Sequence, residues 1–481
     1  MRVGGPKQPL PEARFDLVRF TRGKVLDIGR GEFKFFPHFI GLRERGDDAI
    51  QPPVTPDFAV DSFETLSDFI EGSMDAVVVW GIERTPGIME QAARLIKDGG
   101  HLITIDIDGT LQVYRERDDL LEPISSYGFN GTPNEDRPTA LVIRYGAIGD
   151  VLQTASMFPQ LHRDYHVTVN CHPIGEEVLR HDPNVDDFLV QDPDQVPNGE
   201  LNNYFAHLAT RYDRVVNLCE SVEGTLLAMP GRSNHRWPLA MRKKYLNENY
   251  LGFMCQLAEL PLETGGVFHP SDEERSRALT NIEGIAARMN ADVKFGERSI
   301  RPFVITWALA GSSVHKYYPG QDAVIARILL EIPNAHILLV GDEFAQMLEA
   351  GWENEPRVSR LCGMLPIRDS LALAQVSDLV IGPETGVLNA VAFESMAKIV
   401  LLSHSTEENL TRDWVNTESL AGDVPCYPCH RLHYNRDFCP QDEETGAAVC
   451  QVAIHPSAVW EAVQRAYVGY GTVRRLLDPT I

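Results

Sequence analysis

The sequence predicts an α/β protein made of three doubly wound, Rossmann-like domains in succession. Three observations carry this expectation. Apolar runs of strand length alternate with amphipathic helical segments, glycine-containing turns follow several of those runs directly, and 481 residues exceed what one ordinary core organises. A strand, a glycine turn and a helix open a parallel α/β unit and set the turn at the carboxyl edge of the sheet, where ligands bind.

Composition narrows the class further. The 43% hydrophobic and 23% charged content is that of a globular protein. No apolar run approaches the roughly 18 residues of a membrane span. The start, MRVGGPKQPLPEARF, lacks an apolar signal core, so a cytoplasmic location is expected. A net charge of −24 disfavours broad binding to nucleic acid or to an anionic membrane surface, leaving only a local basic patch as a route to either. The eight cysteines are expected to be mostly reduced in that compartment.

Residues 1–125 form the first expected domain. Residues 23–42 read as strand, glycine turn and strand, and residues 74–82 as a further strand. The helical segment GIMEQAARLIK, the turn at 98–100 and the strand HLITIDI complete it. This order resembles the class I S-adenosylmethionine-dependent methyltransferases. Asp27, Gly29 and Gly31 match that family's D-x-G-x-G turn, and the resemblance implies an S-adenosylmethionine site there. Asp61 and Asp75 fall at its later acidic positions. Two departures argue for a degenerate, structural or docking domain. Gly41-Leu42-Arg43 stands where the family has an acid for the cofactor ribose, and Phe33 stands where a third glycine is common. A cation offers no acceptor to a pair of hydroxyls. Asp106-Ile107-Asp108, at the end of a strand, reads as a chance pair of carboxylates. The polar, turn-rich stretch 115–138 reads as the linker, assigned to residues 126–138.

The second expected domain spans residues 139–300. It opens with TALVIRYGAIGDVLQTASMFP: a strand, a turn holding Gly146 and Gly149, then a helix with Asp150 at or near its start. An N-cap is the simple reading of such an aspartate. Strands HVTVNC and DRVVNLC follow. The stretch 231–250 gathers Arg232, Arg236, Arg242, Lys243 and Lys244, which either face an anionic acceptor or form a solvated helix face.

The third expected domain spans residues 301–481. Strands start near Phe303, Ala335 and Leu379, and the turn Gly382-Pro383-Glu384-Thr385-Gly386 enters a helix. Free N–H groups at such a helix start suit a diphosphate. Thr385 adds a hydroxyl, and Ser312, Ser313 and Lys316 come from an adjacent strand end to clamp the same anion.

RYGAIGDVLQT, SSVHKYYP, LLVGDE and residues 374–392 together resemble the ADP-heptose:lipopolysaccharide heptosyltransferases, glycosyltransferase family 9, over residues 138–481. The resemblance implies that the last two domains form a GT-B glycosyltransferase cleft. It implies Asp150 as catalytic base and Lys316 as a donor-site cation. It also implies a phosphate turn at Glu384, Thr385, Gly386 and Asn389, with Gly149 beside it and Gly341, Asp342 and Glu343 near the nucleotide ribose. Here glutamate replaces the family's aspartate at 384 and asparagine its histidine at 389. The implied chemistry is inverting transfer of a heptose or similar sugar from an ADP-linked or other nucleotide-diphosphate donor to an acceptor hydroxyl. The acceptor would be a glycan, a lipopolysaccharide core or a modified nucleic-acid base. One carboxylate suffices, and no cofactor or metal is required, because a diphosphate leaving group needs charge stabilisation rather than protonation.

Cys426, Cys429, Cys439 and Cys450 have spacing that suits a small structural zinc site, with His430 or His433 as substitutes for one ligand. Two other function classes remain in view: a methyltransferase whose later domains bind substrate, and a non-catalytic sugar-nucleotide binding protein.

Overall fold

Strands β1 (Val25–Ile28), β2 (Ile40–Glu44), β3 (Phe58–Val60), β4 (Met74–Trp80), β5 (Ile96–Ile105), β6 (Leu111–Arg117) and β7 (Leu120–Pro123) form a seven-stranded sheet in the order β3-β2-β1-β4-β5-β6-β7. The first five pair in parallel and the last two add antiparallel. Helix α1 (Pro86–Leu95) joins β4 to β5; its N-cap Thr85 accepts from Ile88 N–H, and a proline opens its first turn. Two expectations are corrected here. The turn at 98–100 lies inside β5, and the linker read from residue 115 onward begins as a β-ribbon, because β6 and β7 pair across it.

The computed structural model describes residues 13–29, 36, 38–44, 57–60, 62–80, 84–105, 111–117, 120–124, 137–219, 221–291 and 299–477. Gly31, Phe33, Asp61 and the Asp106-Ile107-Asp108 run therefore lie outside the described residues. The chain divides into two compact units. One comprises Met1–Leu141, Thr168–Pro173 and Asp186–Val215, and the other Val142–Val167, Ile174–Val185 and Val216–Ile481. Among the described residues no helix is long and apolar enough to cross a membrane.

Strands β8 (Thr139–Ile143), β9 (His166–Cys171), β10 (Asp187–Val190) and β11 (Arg214–Asn217) make a four-stranded sheet in the order β10-β9-β8-β11, which contributes residues to both units. Helix α2 (Ile148–Ala155) leaves the end of β8. In the second unit, helix α3 (Asp272–Met289) precedes a six-stranded sheet. Its strands are β12 (Phe303–Ala308), β13 (Ala335–Val340), β14 (Val358–Arg360), β15 (Leu379–Pro383), β16 (Ala397–Leu402) and β17 (Thr417–Ala421), in the order β14-β13-β12-β15-β16-β17. Every pair in that sheet is parallel. Every residue of β12 and β13 is buried, which is why FVITWA and AHILLV read as near-continuous apolar runs, interrupted only by Thr306 and His336, rather than alternating ones. Helices α4 (Gln321–Glu331), α5 (Ile367–Gln375), α6 (Gly386–Ala390) and α7 (Pro456–Leu477) complete the parts used below. Val459, Trp460 and Val463 of α7 close the core over Phe303, Ile305 and Ile328.

One buried ion pair ties α5 to α3. Arg368 Nε and Nη2 donate to the two carboxylate oxygens of Glu274 at 2.7 and 2.8 Å. Its remaining hydrogens go to the carbonyls of Glu177, Val178 and His269. All five guanidinium donors are thereby used, so the charge is fully compensated. Burial raises the Glu274 pKa, but the bonds from Arg368 and from Ser271 N–H outweigh it and hold the carboxyl below its usual value. The folded pKa is depressed, so the contribution is present above the ordinary glutamate pKa and fades as pH falls through the folded value. Replacing Arg368 by methionine leaves Glu274 charged without its partner and is expected to cost about 3–5 kcal/mol in urea unfolding. The double change Arg368→Met with Glu274→Leu should recover most of it. A loss below about 1 kcal/mol in the single variant would show that the pair does not hold the two helices.

Candidate active site

Asp150 enters the site from the first turn of α2. The N-cap is Ala147, and Asp150 is the third helical residue, three positions beyond the cap the simple reading gave it. Its Oδ2 accepts from Ala147 N–H at 3.0 Å, and its Oδ1 faces Arg144 Nη2 at 3.1 Å. Arg144 is almost wholly buried and also donates to the Leu218 carbonyl. A helix start and a buried cation thus fix the carboxylate, while its side chain stays 38% exposed.

Two glycines bring α2 and α6 into contact. A Cβ on Gly149 would fall 2.8 Å from Asn389 Nδ2, and one on Gly386 would fall 2.6 Å from Ile148 Cγ2. Neither space admits a side chain. Gln153 Nε2 donates to Asn389 Oδ1 at 2.7 Å, and Asn389 Nδ2 donates to the Thr385 carbonyl at 2.8 Å. Asn389 is therefore a buried strut between the two helix starts. The sequence expectation gave it to the donor ligand, but its amide is engaged on both sides.

These helix starts border a cavity of about 520 Å³. Gly149 and Asp150 line it together with Ser312, Lys316, Glu384, Thr385 and Gly386. Gly341 and Asn389 also reach it. Ser313 does not line it; that residue is buried and its hydroxyl has no partner among the described residues. Glu343 is exposed at the start of a 3-10 turn, whereas Asp342, which caps that turn through Ala345 N–H, faces the cavity.

The turn itself departs from its expected role. Lys316 Nζ donates to the Glu384 carbonyl at 2.5 Å. Burial lowers the lysine's pKa, and Glu384 and Asp150 hold it back up. The Glu384 carboxylate turns inward. It accepts from Ser403 N–H, Ser405 N–H and the Ser403 hydroxyl, and pairs with His404 Nδ1 at 2.6 Å. Burial pushes its pKa up, yet His404, Lys316 and Ser403 overcome this and keep it ionised well below the usual range. Thr385 caps no backbone N–H, and its buried Oγ1 has no partner among the described residues, so its hydroxyl is unspent beside the cavity. His404 and Ser405 also line the cavity. Sequence reading missed them, although they directly follow β16 at the carboxyl edge of the sheet, where site residues concentrate.

The basic stretch does not face this cavity. None of Arg232, Arg236, Arg242, Lys243 or Lys244 lines it, and Arg242 is buried, donating to the carbonyls of Trp237 and Cys429. Cys426, Cys429, Cys439 and Cys450 converge on a second cavity of about 200 Å³, with His315 and His433 in its wall. Among the described residues, the set whose ligand atoms close to within 4.8 Å of one another is His315, Glu384 and His404, rather than the cysteines. His430 does not line that cavity; among the described residues its buried ring nitrogens have no partner, and burial holds its pKa down at about 3.

In the seven-stranded sheet the strand order reverses between β1 and β4, the position where a doubly wound sheet binds its ligand. Trp80 fills it. Its indole N–H donates to Asp27, and a Cβ on Gly29 would lie 2.5 Å from that nitrogen. Asp75 sits at the opposite, amino end of β4, bonded to Lys24 N–H and Lys97. The described residues thus do not form a cradle for S-adenosylmethionine.

No protein-family model and no curated protein sequence matches this chain. Solved structures similar to it are glycosyltransferases. ADP-heptose LPS heptosyltransferase II of E. coli aligns at 15% identity, over 69% of this chain and 99% of that one, with a TM-score of 0.45. A glycosyltransferase family 9 protein from Veillonella parvula aligns at 14% identity over 71% of this chain and 100% of that one, with a TM-score of 0.48. The iron-containing dodecameric glycosyltransferase TibC from enterotoxigenic E. coli aligns at 13% identity over 75% of this chain and 83% of that one, with a TM-score of 0.44.

The contact between helix starts gives a direct test. Gly386→Ala forces Ile148 aside and is expected to lower stability by about 1–3 kcal/mol in urea unfolding. An unchanged midpoint would mean the two helices do not touch there.

Proposed function

We propose that this chain is an inverting glycosyltransferase that takes a sugar from a nucleoside-diphosphate donor to an acceptor hydroxyl. One observation supports the reading above the others: Asp150, Lys316 and the Thr385–Gly386 helix start line the same cavity. Its volume of about 520 Å³ suits a sugar nucleotide. The resemblance in sequence motifs favours an ADP-linked heptose or similar sugar and a glycan or lipopolysaccharide-core acceptor.

In this mechanism Asp150 accepts the proton of the acceptor hydroxyl as that oxygen attacks the anomeric carbon. The bond from that carbon to the diphosphate breaks, and its electron pair leaves on the nucleoside diphosphate. The Lys316 ammonium, the Thr385 hydroxyl and the Gly386 N–H face the growing charge. Arg144 and Ala147 N–H orient the base without consuming all its lone pairs. A panel of ADP-, UDP- and GDP-sugars, screened by thermal shift and then by release of nucleoside diphosphate, tests the reading. Asp150→Asn is expected to slow turnover by about 100-fold or more with donor affinity little changed. Equal turnover in that variant would remove Asp150 as base, and binding without turnover in the parent chain would favour a non-catalytic sugar-nucleotide protein.

The four cysteines line one cavity from three separate segments, and thiols are the ligand chemistry of a structural metal such as zinc, although their sulfurs, which do not close to within 4.8 Å of one another here, would have to draw together. Purified protein should then carry one equivalent of metal bound there, and Cys429→Ser should lose it along with several degrees of melting temperature. Metal content unaltered by that change would refute the assignment.

A further inference from the structure

We infer that His404, oriented by Glu384, is a diphosphate-binding residue of the cavity and acts through its Nε2. This rests on the glycosyltransferase reading and adds a residue to it. The argument starts from the lone pairs of one carboxylate. Glu384 Oε1 accepts from Ser403 N–H at 3.1 Å and Ser405 N–H at 3.0 Å. Its Oε2 takes the Ser403 hydroxyl and His404 Nδ1, each at 2.6 Å. A carboxylate offers about four acceptor sites, and all are filled.

Two consequences follow. Glu384 has no capacity left for a ligand or for a metal ion, so the nearness of His315, Glu384 and His404 is that of a hydrogen-bonded cluster. The lysine ammonium at the Glu384 carbonyl adds a positive charge that would oppose a divalent ion. Second, His404 must carry its hydrogen on Nδ1. His315 Nε2 and the Ser403 hydroxyl also lie 3.3 Å from Nδ1, but the ionised carboxylate is nearer and the stronger acceptor.

His404 lines the cavity, and its Nε2 has no hydrogen-bond partner among the described residues. Beside it stand Lys316 and the unpartnered Thr385 hydroxyl. These three groups line the cavity and can all present hydrogens, whereas Asp150 offers only acceptors to it. An anion belongs against the former and the reacting hydroxyl against the latter. With a diphosphate in place, the protonated ring donates Nε2–H to a phosphate oxygen while Nδ1–H stays on Glu384.

Two amide replacements separate this from a structural role. In His404→Asn the amide nitrogen reaches the place of Nδ1 and keeps the bond to Glu384; in His404→Gln it reaches the place of Nε2. Titration calorimetry of the full chain with ADP and with UDP should show His404→Asn weakened about tenfold or more. His404→Gln should stay within about threefold of the parent. Melting temperatures and metal content are measured alongside. Parent-like binding by His404→Asn overturns the inference. So does equal weakening of both variants with equally lowered melting, which marks a structural role, and so does loss of a metal equivalent in either, which marks a metal ligand. If the parent chain binds neither nucleotide, the proposed function itself falls and this inference with it.

Discussion

The site depends on two absent side chains. Gly149 and Gly386 let the first turns of α2 and α6 meet with no Cβ between them, and the Gln153–Asn389 bond locks that meeting. Packed interiors leave no slack of ångström size, so the contact sets where both helix starts end up. Asp150 is carried on one helix and the Thr385–Gly386 turn on the other. Their separation is fixed by backbone packing rather than by flexible side chains. That rigidity is what a reaction between two bound groups requires.

A second constraint concerns charge. The cavity is lined by Asp150, Lys316, Glu384 and His404, and burial penalises the charged forms of Lys316 and Glu384. The structure resolves this by giving each charge a partner. Asp150 leans on Arg144, Lys316 on a carbonyl, and Glu384 on two backbone N–H groups, a hydroxyl and an imidazole. Glu384 is thus a framework residue that shapes the loop Ser403–Ser405, and its charge acts on the cavity through its neighbours His404 and Lys316. A motif position that looks ligand-facing in sequence can instead anchor the loop that is.

The seven-stranded sheet shows the converse. Asp27 and Gly29 stand at the reversal of strand order, where a nucleotide-type ligand would enter, and the motif is legible. Trp80, at the end of the neighbouring strand, spends its indole N–H on Asp27 and its ring on the space over Gly29. Glycine here accommodates the protein's own side chain. A local match to a binding turn therefore says that the backbone can approach something closely, and the neighbouring strand decides what.

Much of this was legible in the chain itself. The buried parallel strands are near-continuous apolar runs, which physical burial on both faces demands, and the turns at Gly149 and Gly386 announce themselves by residue type. Asp150, Lys316 and Thr385 were found because they sit next to such turns. What sequence could not reveal lies in contacts between distant segments. The inward turn of Glu384, the strut at Asn389, the burial of Arg242 beside the cysteines and the place of His404 all follow from partners tens to hundreds of positions away. Local sequence fixes which groups a strand end can offer. Which of them face the cavity is decided by where the remaining hydrogen-bond donors and acceptors are satisfied, and only the packed tertiary structure determines that.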